Sequence, residues 1–233
     1  NKIEQANIIG LTIIDRELID GTLKTAKKQA TTIYQKLRLS KKQISNEIRI
    51  KFIILQNYSI VRKAVKNENH GLSSLLLDRI CNYIHYLNKY SSEILTSAVI
   101  ETTKAGMKIL SYNWALVLCR SEFRDSINPK YKDKIERIAL KPVTTKEILQ
   151  SNNSTYGWNL QNNQLNSENA SLRCCKCQTF VNNIFKISCE SCFNSFELCT
   201  TSGKALLNIS NEKYMTCRHC RGVSYQSELK SYL

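Results

Sequence analysis

Apolar positions in the first two thirds of the chain recur every three or four residues, as they do along one face of an α-helix. The clearest stretch forms a single apolar stripe between residues 72 and 87. Its members are Leu72, Leu75, Leu76, Ile80, Ile84 and Leu87. The same spacing predicts about seven helices, and their short connections favour antiparallel neighbours. The expected ranges are residues 3–15, 17–37, 41–66, 71–88, 92–105, 108–121 and 129–140.

Capping signals support two of these helices. Ser91 or Ser92 is expected to cap the fifth helix, and Gly106 is expected to end it. Asn128 suits the cap of the last helix, and Pro129 suits its first position, where a missing N–H costs nothing. These residues predict where the two helices begin or end.

The paired helices predict a repeat architecture. A spacing of ~34–40 residues is typical of a tetratricopeptide-like helical-hairpin solenoid. No clean tetratricopeptide consensus is present, and a compact helical bundle is the alternative. We therefore predict a mainly α fold with helical repeats over residues 1–147. An Asn/Gln/Ser-rich linker containing Trp158 is expected over residues 148–172, and a small zinc-ribbon-like module over residues 173–233.

Cysteine is concentrated near the C-terminal end, where six of the ten lie within the 28 residues of 172–199. Two C-x2-C knuckles each direct two sulfurs at one point, which is the spacing of a zinc ribbon. Residues 178–188 between them read as strand, Asn-Asn turn and strand, a hairpin that would bring the knuckles together. Disulfides are the competing interpretation, disfavoured because no secretory signal opens the chain at Asn1. The knuckle cysteines are Cys174, Cys177, Cys189 and Cys192.

A third knuckle, Cys217-x2-Cys220, follows later in the chain. Either the first two knuckles close one site alone and the third forms half of a second, or the knuckles interleave as in a cross-braced fold. Cys175 and Cys199 are each either ligands or small buried apolar residues. Cys81 and Cys119 lie on predicted helices, so core positions are expected for both. The predicted ligands of structural Zn²⁺ are Cys174, Cys177, Cys189, Cys192, Cys217 and Cys220.

A four-cysteine zinc site is coordinatively closed, so it is expected to be structural and not catalytic. The sequence has no Gly-rich phosphate loop and no nucleophile elbow, and its three His residues are scattered. We therefore predict no enzymatic activity and no catalytic residue. No apolar run reaches the ~18–20 residues that a transmembrane helix needs.

The formal net charge of +15 lies mainly in the first part of the chain. Residues 1–172 carry 26 Lys and Arg against 15 Asp and Glu, a difference of +11, and residues 173–233 carry 8 against 4, a difference of +4. A solvated face, an acidic protein partner or a nucleic acid would each account for this charge. A nucleic-acid-binding zinc-ribbon protein is therefore the alternative function, although only Lys186 lies between the first two knuckles as a cation. A cross-braced ubiquitin ligase is a third hypothesis.

The order of these elements resembles the C-terminal end of the intraflagellar transport protein 144 (WD-repeat domain 19) family of intraflagellar transport complex A. The stretches "ILTSAVIETTKAGMK" and "SEFRDSINPKYKDKIERI" look like the last tetratricopeptide helices of that family. The family pattern in the module is carried here by Cys174 and Cys177, Cys189 and Cys192, Cys199 with Ser202, Gly203 and Lys204, Cys217 and Cys220, then Tyr225, Ser227, Glu228, Leu229 and Lys230.

The resemblance implies a non-enzymatic scaffold subunit that supports retrograde ciliary transport and cilium assembly through protein–protein contacts. It implies other complex A subunits and adaptors of ciliary membrane cargo as partners, with no nucleic acid. The implied locations are the cilium, at its axoneme and basal body, and the cytoplasm. The family also has propellers and further repeats upstream and another C-x2-C knuckle downstream. This chain is therefore expected to be a C-terminal fragment.

Overall fold

The computed structural model describes residues 2–40, 43–144, 172–181, 183–207, 213–217 and 222–230. The described residues are mainly helical, with a small sheet near the C-terminal end. Contacts divide the chain into two compact units, Asn1–Val143 and Thr144–Leu233. The predicted linker at residues 148–172, with Trp158, lies outside the described residues except for Leu172.

The first unit is built from helices that pack mainly against their neighbours in chain order. α4 is buried on most of its surface because α3 and α5 both pack against it. The α-helices are α1 (Lys2–Asp20), α2 (Leu23–Leu39), α3 (Asn46–Lys66), α4 (His70–Cys81), α5 (Ser91–Lys104), α6 (Lys108–Leu118), α7 (Ser121–Arg124) and α8 (Pro129–Leu140), with a 3-10 helix at Ile84–Tyr90 between α4 and α5.

Aliphatic side chains fill most of the core of the first unit. The largest of those that are fully buried include Ile14, Ile48, Ile54, Leu76, Leu77, Ile80, Ile94, Leu95 and Leu118. α1 approaches this core closely at Gly10, where a Cβ atom would lie 2.9 Å from Ile33 Cγ2 and 3.3 Å from Ile48 Cδ1. Gly10 therefore sets how near α1 can come to α2 and α3.

The first predicted helix boundary was wrong. The sequence placed a break near residue 16, whereas α1 continues to Asp20 and α2 begins after Thr22. The physical cause is a capping box, in which Thr22 Oγ1 accepts the backbone N–H of Thr25 at 3.2 Å. Thr25 Oγ1 in turn accepts the backbone N–H of Thr22 at 2.9 Å, which satisfies two otherwise unpaired donors.

The predicted helix at residues 71–88 is two elements. α4 ends at Cys81, and Tyr83 (φ −120°, ψ 24°) leaves the helical conformation before the 3-10 helix begins. Asn82 donates its side-chain N–H to the Asp78 carbonyl at 3.0 Å, so it closes the last turn of α4. Leu87 is still buried, at 1% exposure. Leu75, Leu76 and Ile80 are buried as well, whereas Leu72 and Ile84 are only partly buried. The apolar stripe therefore predicted burial correctly for most of its members, but it did not predict the break.

Two other predicted boundaries also shift, and one predicted cap is wrong. α3 begins at Asn46 and not at 41, because Ser45 Oγ caps it by accepting the N–H of Ile48 at 3.3 Å. α6 ends at Leu118, and the short α7 follows separately. Neither Ser91 nor Ser92 caps α5, since both lie inside it. Their hydroxyls donate to backbone carbonyls instead.

The predictions at Gly106 and at Asn128–Pro129 are confirmed. Gly106 has φ +72° and follows α5, where its N–H donates to the Thr103 carbonyl at 3.1 Å. The N–H of Met107 donates to the Thr102 carbonyl at 2.9 Å, which completes a Schellman motif. Asn128 Oδ1 accepts the N–H of Lys130 at 3.0 Å, and Pro129 is the first residue of α8.

The second unit contains a two-stranded antiparallel sheet of β1 (Tyr214–Thr216) and β2 (Val223–Tyr225), followed by α9 (Gln226–Lys230). Tyr214 lies opposite Tyr225, and Thr216 lies opposite Val223. The predicted hairpin at residues 178–188 is wrong for the described residues there, which form no strand. Their backbone groups bond elsewhere, as when Val181 donates to the Leu172 carbonyl at 2.7 Å. Asn183 Oδ1 accepts the N–H of Phe185 at 2.8 Å in a local turn.

No helix in the described part of the chain combines the length and the apolar character that crossing a membrane requires.

Candidate metal centre

The first C-x2-C loop is a closed backbone turn. The N–H of Gln178 donates to the Cys174 carbonyl at 3.0 Å, and the N–H of Cys174 donates to the Thr179 carbonyl at 3.0 Å. Arg173 and Phe180 pair across the base of the turn as an antiparallel bridge. Gln178 has φ +59°, so the turn is tight enough to place a non-glycine residue in the left-handed region.

The second C-x2-C loop repeats this backbone. The N–H of Phe193 donates to the Cys189 carbonyl at 3.0 Å, and the N–H of Cys189 donates to the Asn194 carbonyl at 2.8 Å. Ser188 and Ser195 form the corresponding bridge, and Phe193 has φ +55°. Two loops of one geometry therefore each present a pair of sulfurs.

The two loops bring their four sulfurs to one place. Cys174 Sγ lies 3.7 Å from Cys192 Sγ, and Cys177 Sγ lies 3.5 Å from Cys189 Sγ. All four sulfurs lie within 4.8 Å of one another. Sulfurs ~2.3 Å from a tetrahedral zinc ion would be ~3.8 Å apart, so this donor set fits zinc. None of the described cysteines forms a disulfide.

Four thiols this close cannot ionise independently. Hydrogen bonds from the side chain and then the backbone of Thr179 lower the pKa of the Cys177 thiol to about 6. The backbone N–H of Asn194 lowers the pKa of Cys192, but desolvation and the neighbouring sulfurs raise it overall, to about 12. One thiol therefore ionises at the expense of another. A bound dication would remove this conflict by compensating the thiolate charge.

The sulfur cluster lies at the edge of the apolar core of the second unit. Cys174 and Cys189 are buried, whereas Cys177 is exposed. An arrangement of four sulfur donors leaves no position for water or a substrate, so it can bind a metal for structure but not for catalysis. The buried residues of this core are Cys174, Val181, Cys189, Phe196, Ala205 and Leu207.

Among the described cysteines, the structure brings together the sulfurs of the first two knuckles. Cys217 is exposed, and Cys220 lies outside the described residues. The N–H of Cys217 donates to the Gly222 carbonyl at 2.8 Å, as the first cysteine does in the other two loops. Neither Cys175 nor Cys199 belongs to the sulfur cluster. Cys175 is exposed, and its sulfur accepts the side-chain N–H of Asn194 at 3.4 Å.

Sequence reasoning did not single out Thr179, and it named Glu228 only as part of the family pattern, without a contact to Cys199. The Thr179 hydroxyl lies 3.3 Å from Cys177 Sγ, and a Glu228 carboxylate oxygen lies 3.1 Å from Cys199 Sγ. Thr179 could have been found from its place two residues after the second cysteine of a knuckle, where it can reach the sulfur. Glu228 carries no such signal, because 29 residues separate it from Cys199.

Comparison with known proteins gives a consistent match along almost the whole chain. The human WD repeat-containing protein 19 is 30% identical over 223 residues, and the mouse protein of the same name is 28% identical over 227 residues; each alignment covers 96% of this chain. Over this range the chain is similar to WD repeat-containing protein 19. WD repeat-containing protein dyf-2 of Caenorhabditis elegans is 24% identical over 210 residues, 90% of the chain.

The chain spans only 14–15% of the length of these relatives. No protein-family model matches it. The alignments nevertheless include both units, in one order, and so confirm the resemblance drawn from the cysteine knuckles and the helical stretches.

Proposed function

We propose that this chain is a non-enzymatic scaffold segment of intraflagellar transport complex A. The observation that carries the proposal is the similarity to WD repeat-containing protein 19 over 96% of the chain, through the helices and the cysteine loops alike. The role in retrograde ciliary transport and cilium assembly follows from the family that the sequence resembles. The expected locations are the cilium, with its axoneme and basal body, and the cytoplasm.

The helical unit is proposed to be a piece of a tetratricopeptide-like solenoid. Its helices pack in chain order, α1 on α2, α2 on α3 and so on to α6, and α6 also contacts α8. A linear order of this kind leaves an extended surface for protein partners. Other complex A subunits are the proposed partners, together with adaptors of ciliary membrane cargo.

Cys174, Cys177, Cys189 and Cys192 are proposed to bind one structural Zn²⁺. The fit of the four sulfurs to a tetrahedral site supports this assignment. When bound, the metal would hold the two loops together in a unit whose apolar core is small. Cys217 and Cys220 remain predicted ligands of a second ion.

The test is recovery of partners by the tagged chain in ciliated cells, measured by mass spectrometry. The wild-type chain is expected to recover other complex A subunits. Cys189→Ser removes a ligand and is expected to weaken recovery at least severalfold, because a disordered second unit cannot present a surface. Cys175→Ser is the matched control, since Cys175 is exposed and outside the sulfur cluster.

Two outcomes would contradict the proposal. The first is recovery of nucleic acid or of ubiquitin-transfer machinery in place of complex A subunits. The second is equal recovery by Cys189→Ser, which would mean that the cysteine loops do not contribute to the interface.

A further inference from the structure

The second unit has a third loop at Cys199–Lys204, which is distinct from the third knuckle at Cys217-x2-Cys220. It has the same backbone conformation as the two C-x2-C loops of the sulfur cluster, but it contains only one cysteine. In the Cys199–Lys204 loop, the N–H of Gly203 donates to the Cys199 carbonyl at 2.8 Å. The N–H of Cys199 donates to the Lys204 carbonyl at 2.7 Å. Leu198 and Ala205 form the bridge at its base, and Gly203 has φ +73°. Position by position, these contacts repeat those of the loops that begin at Cys174 and Cys189.

The side chains of this third loop differ from those of the first two. Ser202 stands where the first two loops have their second cysteine, and it is buried. Cys199 is 1% exposed, and its thiol donates to Glu228 Oε2 at 3.1 Å. The Thr201 hydroxyl also lies 3.0 Å from the Cys199 sulfur. The sulfur therefore has protein partners of its own, outside the cluster of four.

Glu228 connects the two ends of the loop from outside it. Its second carboxylate oxygen, Oε1, lies 2.7 Å from Lys204 Nζ, and both side chains are about three-quarters buried, at 22% and 26% exposure. The carboxylate thus bonds to the first residue of the loop through one oxygen and to the last through the other. A charge-assisted pair in this sheltered position is stronger than one on an open surface.

We propose that the Cys199–Lys204 loop is a metal-free zinc knuckle. In this loop the Glu228 carboxylate bonds to the Cys199 thiol and to the Lys204 ammonium. It replaces the metal ion that is proposed to bind the first two loops. The comparison rests on the zinc site proposed above. A cysteine that binds zinc must give up its proton. The Cys199 thiol instead donates a hydrogen bond to Glu228 Oε2.

The contact also fixes the C-terminal elements. Glu228 lies on α9, which follows β2 without a break. The N–H of Thr200 donates to the Val223 carbonyl at 3.0 Å, and its hydroxyl lies 2.6 Å from the Ser224 hydroxyl. The third loop therefore contacts both β2 and α9. Removing Glu228 should loosen this loop without disturbing the four sulfurs.

The test measures zinc content and amide hydrogen exchange in the purified full chain. Cys199→Ser keeps a hydroxyl that can donate to Glu228, so its zinc content is expected to equal that of wild type and of the control Cys175→Ser. Cys189→Ser is expected to lose one zinc ion per chain. Glu228→Gln is expected to keep its zinc but to exchange the Gly203 amide about tenfold faster, because the charge-assisted bonds are lost.

Lys204→Met gives a second measure that leaves the Cys199–Glu228 bond in place, so a smaller acceleration at Gly203 is expected. Loss of a zinc ion in Cys199→Ser would overturn the inference, because Cys199 would then be a ligand. Unchanged exchange at Gly203 in Glu228→Gln would overturn it as well. If Cys189→Ser keeps all its zinc, the zinc site fails instead. None of these results depends on partner recovery, which tests the scaffold role.

Discussion

Glu101 is a buried carboxylate on α5 that ties this helix to the start of α4. Its Oε2 atom lies 2.7 Å from His70 Nδ1 and accepts the Ser73 hydroxyl at 3.0 Å. Its Oε1 atom accepts Lys104 Nζ at 3.1 Å. Burial raises the pKa of Glu101, but the hydrogen bonds from His70, Lys104 and Ser73 hold it below its usual value overall. The ionised form is therefore favoured in the folded protein.

Because the pKa of Glu101 is lowered on folding, the stability that its ionised carboxylate contributes depends on pH. It is fully present above the unfolded pKa of about 4.3, and it is lost as the pH falls through the lower folded value. Glu101→Gln is expected to unfold more easily than wild type at pH 7 by about 1–3 kcal/mol. The difference should shrink between about pH 5 and pH 3. Denaturant unfolding at several pH values measures this.

Glu122→Gln, at an exposed position of α7, is the matched control and should leave stability at pH 7 nearly unchanged. A gap between wild type and Glu101→Gln that stays constant down to pH 3 would show that the ionised carboxylate is not what stabilises the contact.

The ends of α3 and α5 share one closing motif with different residues at its left-handed position. After α3, the N–H of Glu68 donates to the Val65 carbonyl at 3.1 Å, and the N–H of Asn69 donates to the Ala64 carbonyl at 2.9 Å. Glu68 has φ +55°, whereas Gly106 occupies the same place after α5. A side chain at positive φ costs free energy that glycine avoids.

Introducing glycine at Glu68 and removing it at Gly106 should therefore change the free energy of unfolding in opposite directions. Glu68→Gly is expected to raise the free energy of unfolding by up to about 1 kcal/mol, and Gly106→Ala to lower it by about 1 kcal/mol. No heavy atom lies within 4 Å of a Cβ built on Gly106, so backbone strain alone sets its cost. Thermal unfolding of the two variants provides the measurement. Two changes of the same sign would contradict this account of the helix ends.

The helix ends that the sequence predicted correctly are those marked by a capping or terminating residue. Asn128 with Pro129, and Gly106, act on the residues next to them, so sequence alone located those helix ends. The break after Cys81 escaped prediction because the apolar stripe continues to Leu87, which is buried by packing although the helix has ended. The boundary at Thr22 was also missed, although its signal, Thr22 followed by Thr25, is local.

The cysteine-rich unit also combines features set by neighbouring residues with features set by distant ones. Both C-x2-C pairs could be read from spacing, because each loop closes on itself. The hairpin between them was wrong, since its backbone partners come from other segments, such as Ala205, which donates to the Ile184 carbonyl at 2.7 Å. The sequence analysis named the third loop only as part of the family pattern, and its likeness to the C-x2-C loops was missed because Ser202 interrupts the cysteine pattern. Gly203, four residues after Cys199, was the available clue.

At the scale of the whole molecule, the positive charge belongs mainly to the helical unit. α2 carries five Lys and Arg residues and no acidic residue, and Lys24, Lys28 and Lys36 on it are exposed. Lys51 on α3 is buried instead and is paired with Asp15 at 2.5 Å and Glu47 at 2.7 Å. The basic residues therefore lie both on the surface and in the core.

Cys174, Cys177, Cys189 and Cys192 are proposed to form one zinc centre on which the second unit depends. Limited proteolysis of the chain before and after zinc removal, with cleavage sites located by mass spectrometry, tests it most directly. Zinc removal is expected to expose residues 173–233 to cleavage while residues 1–143 stay resistant, since metal binding of order 10 kcal/mol is folding free energy there. Cys189→Ser should show the same cleavage without any chelator, and Cys175→Ser should match the wild type. A second unit that stays resistant after its zinc has been removed would contradict the account.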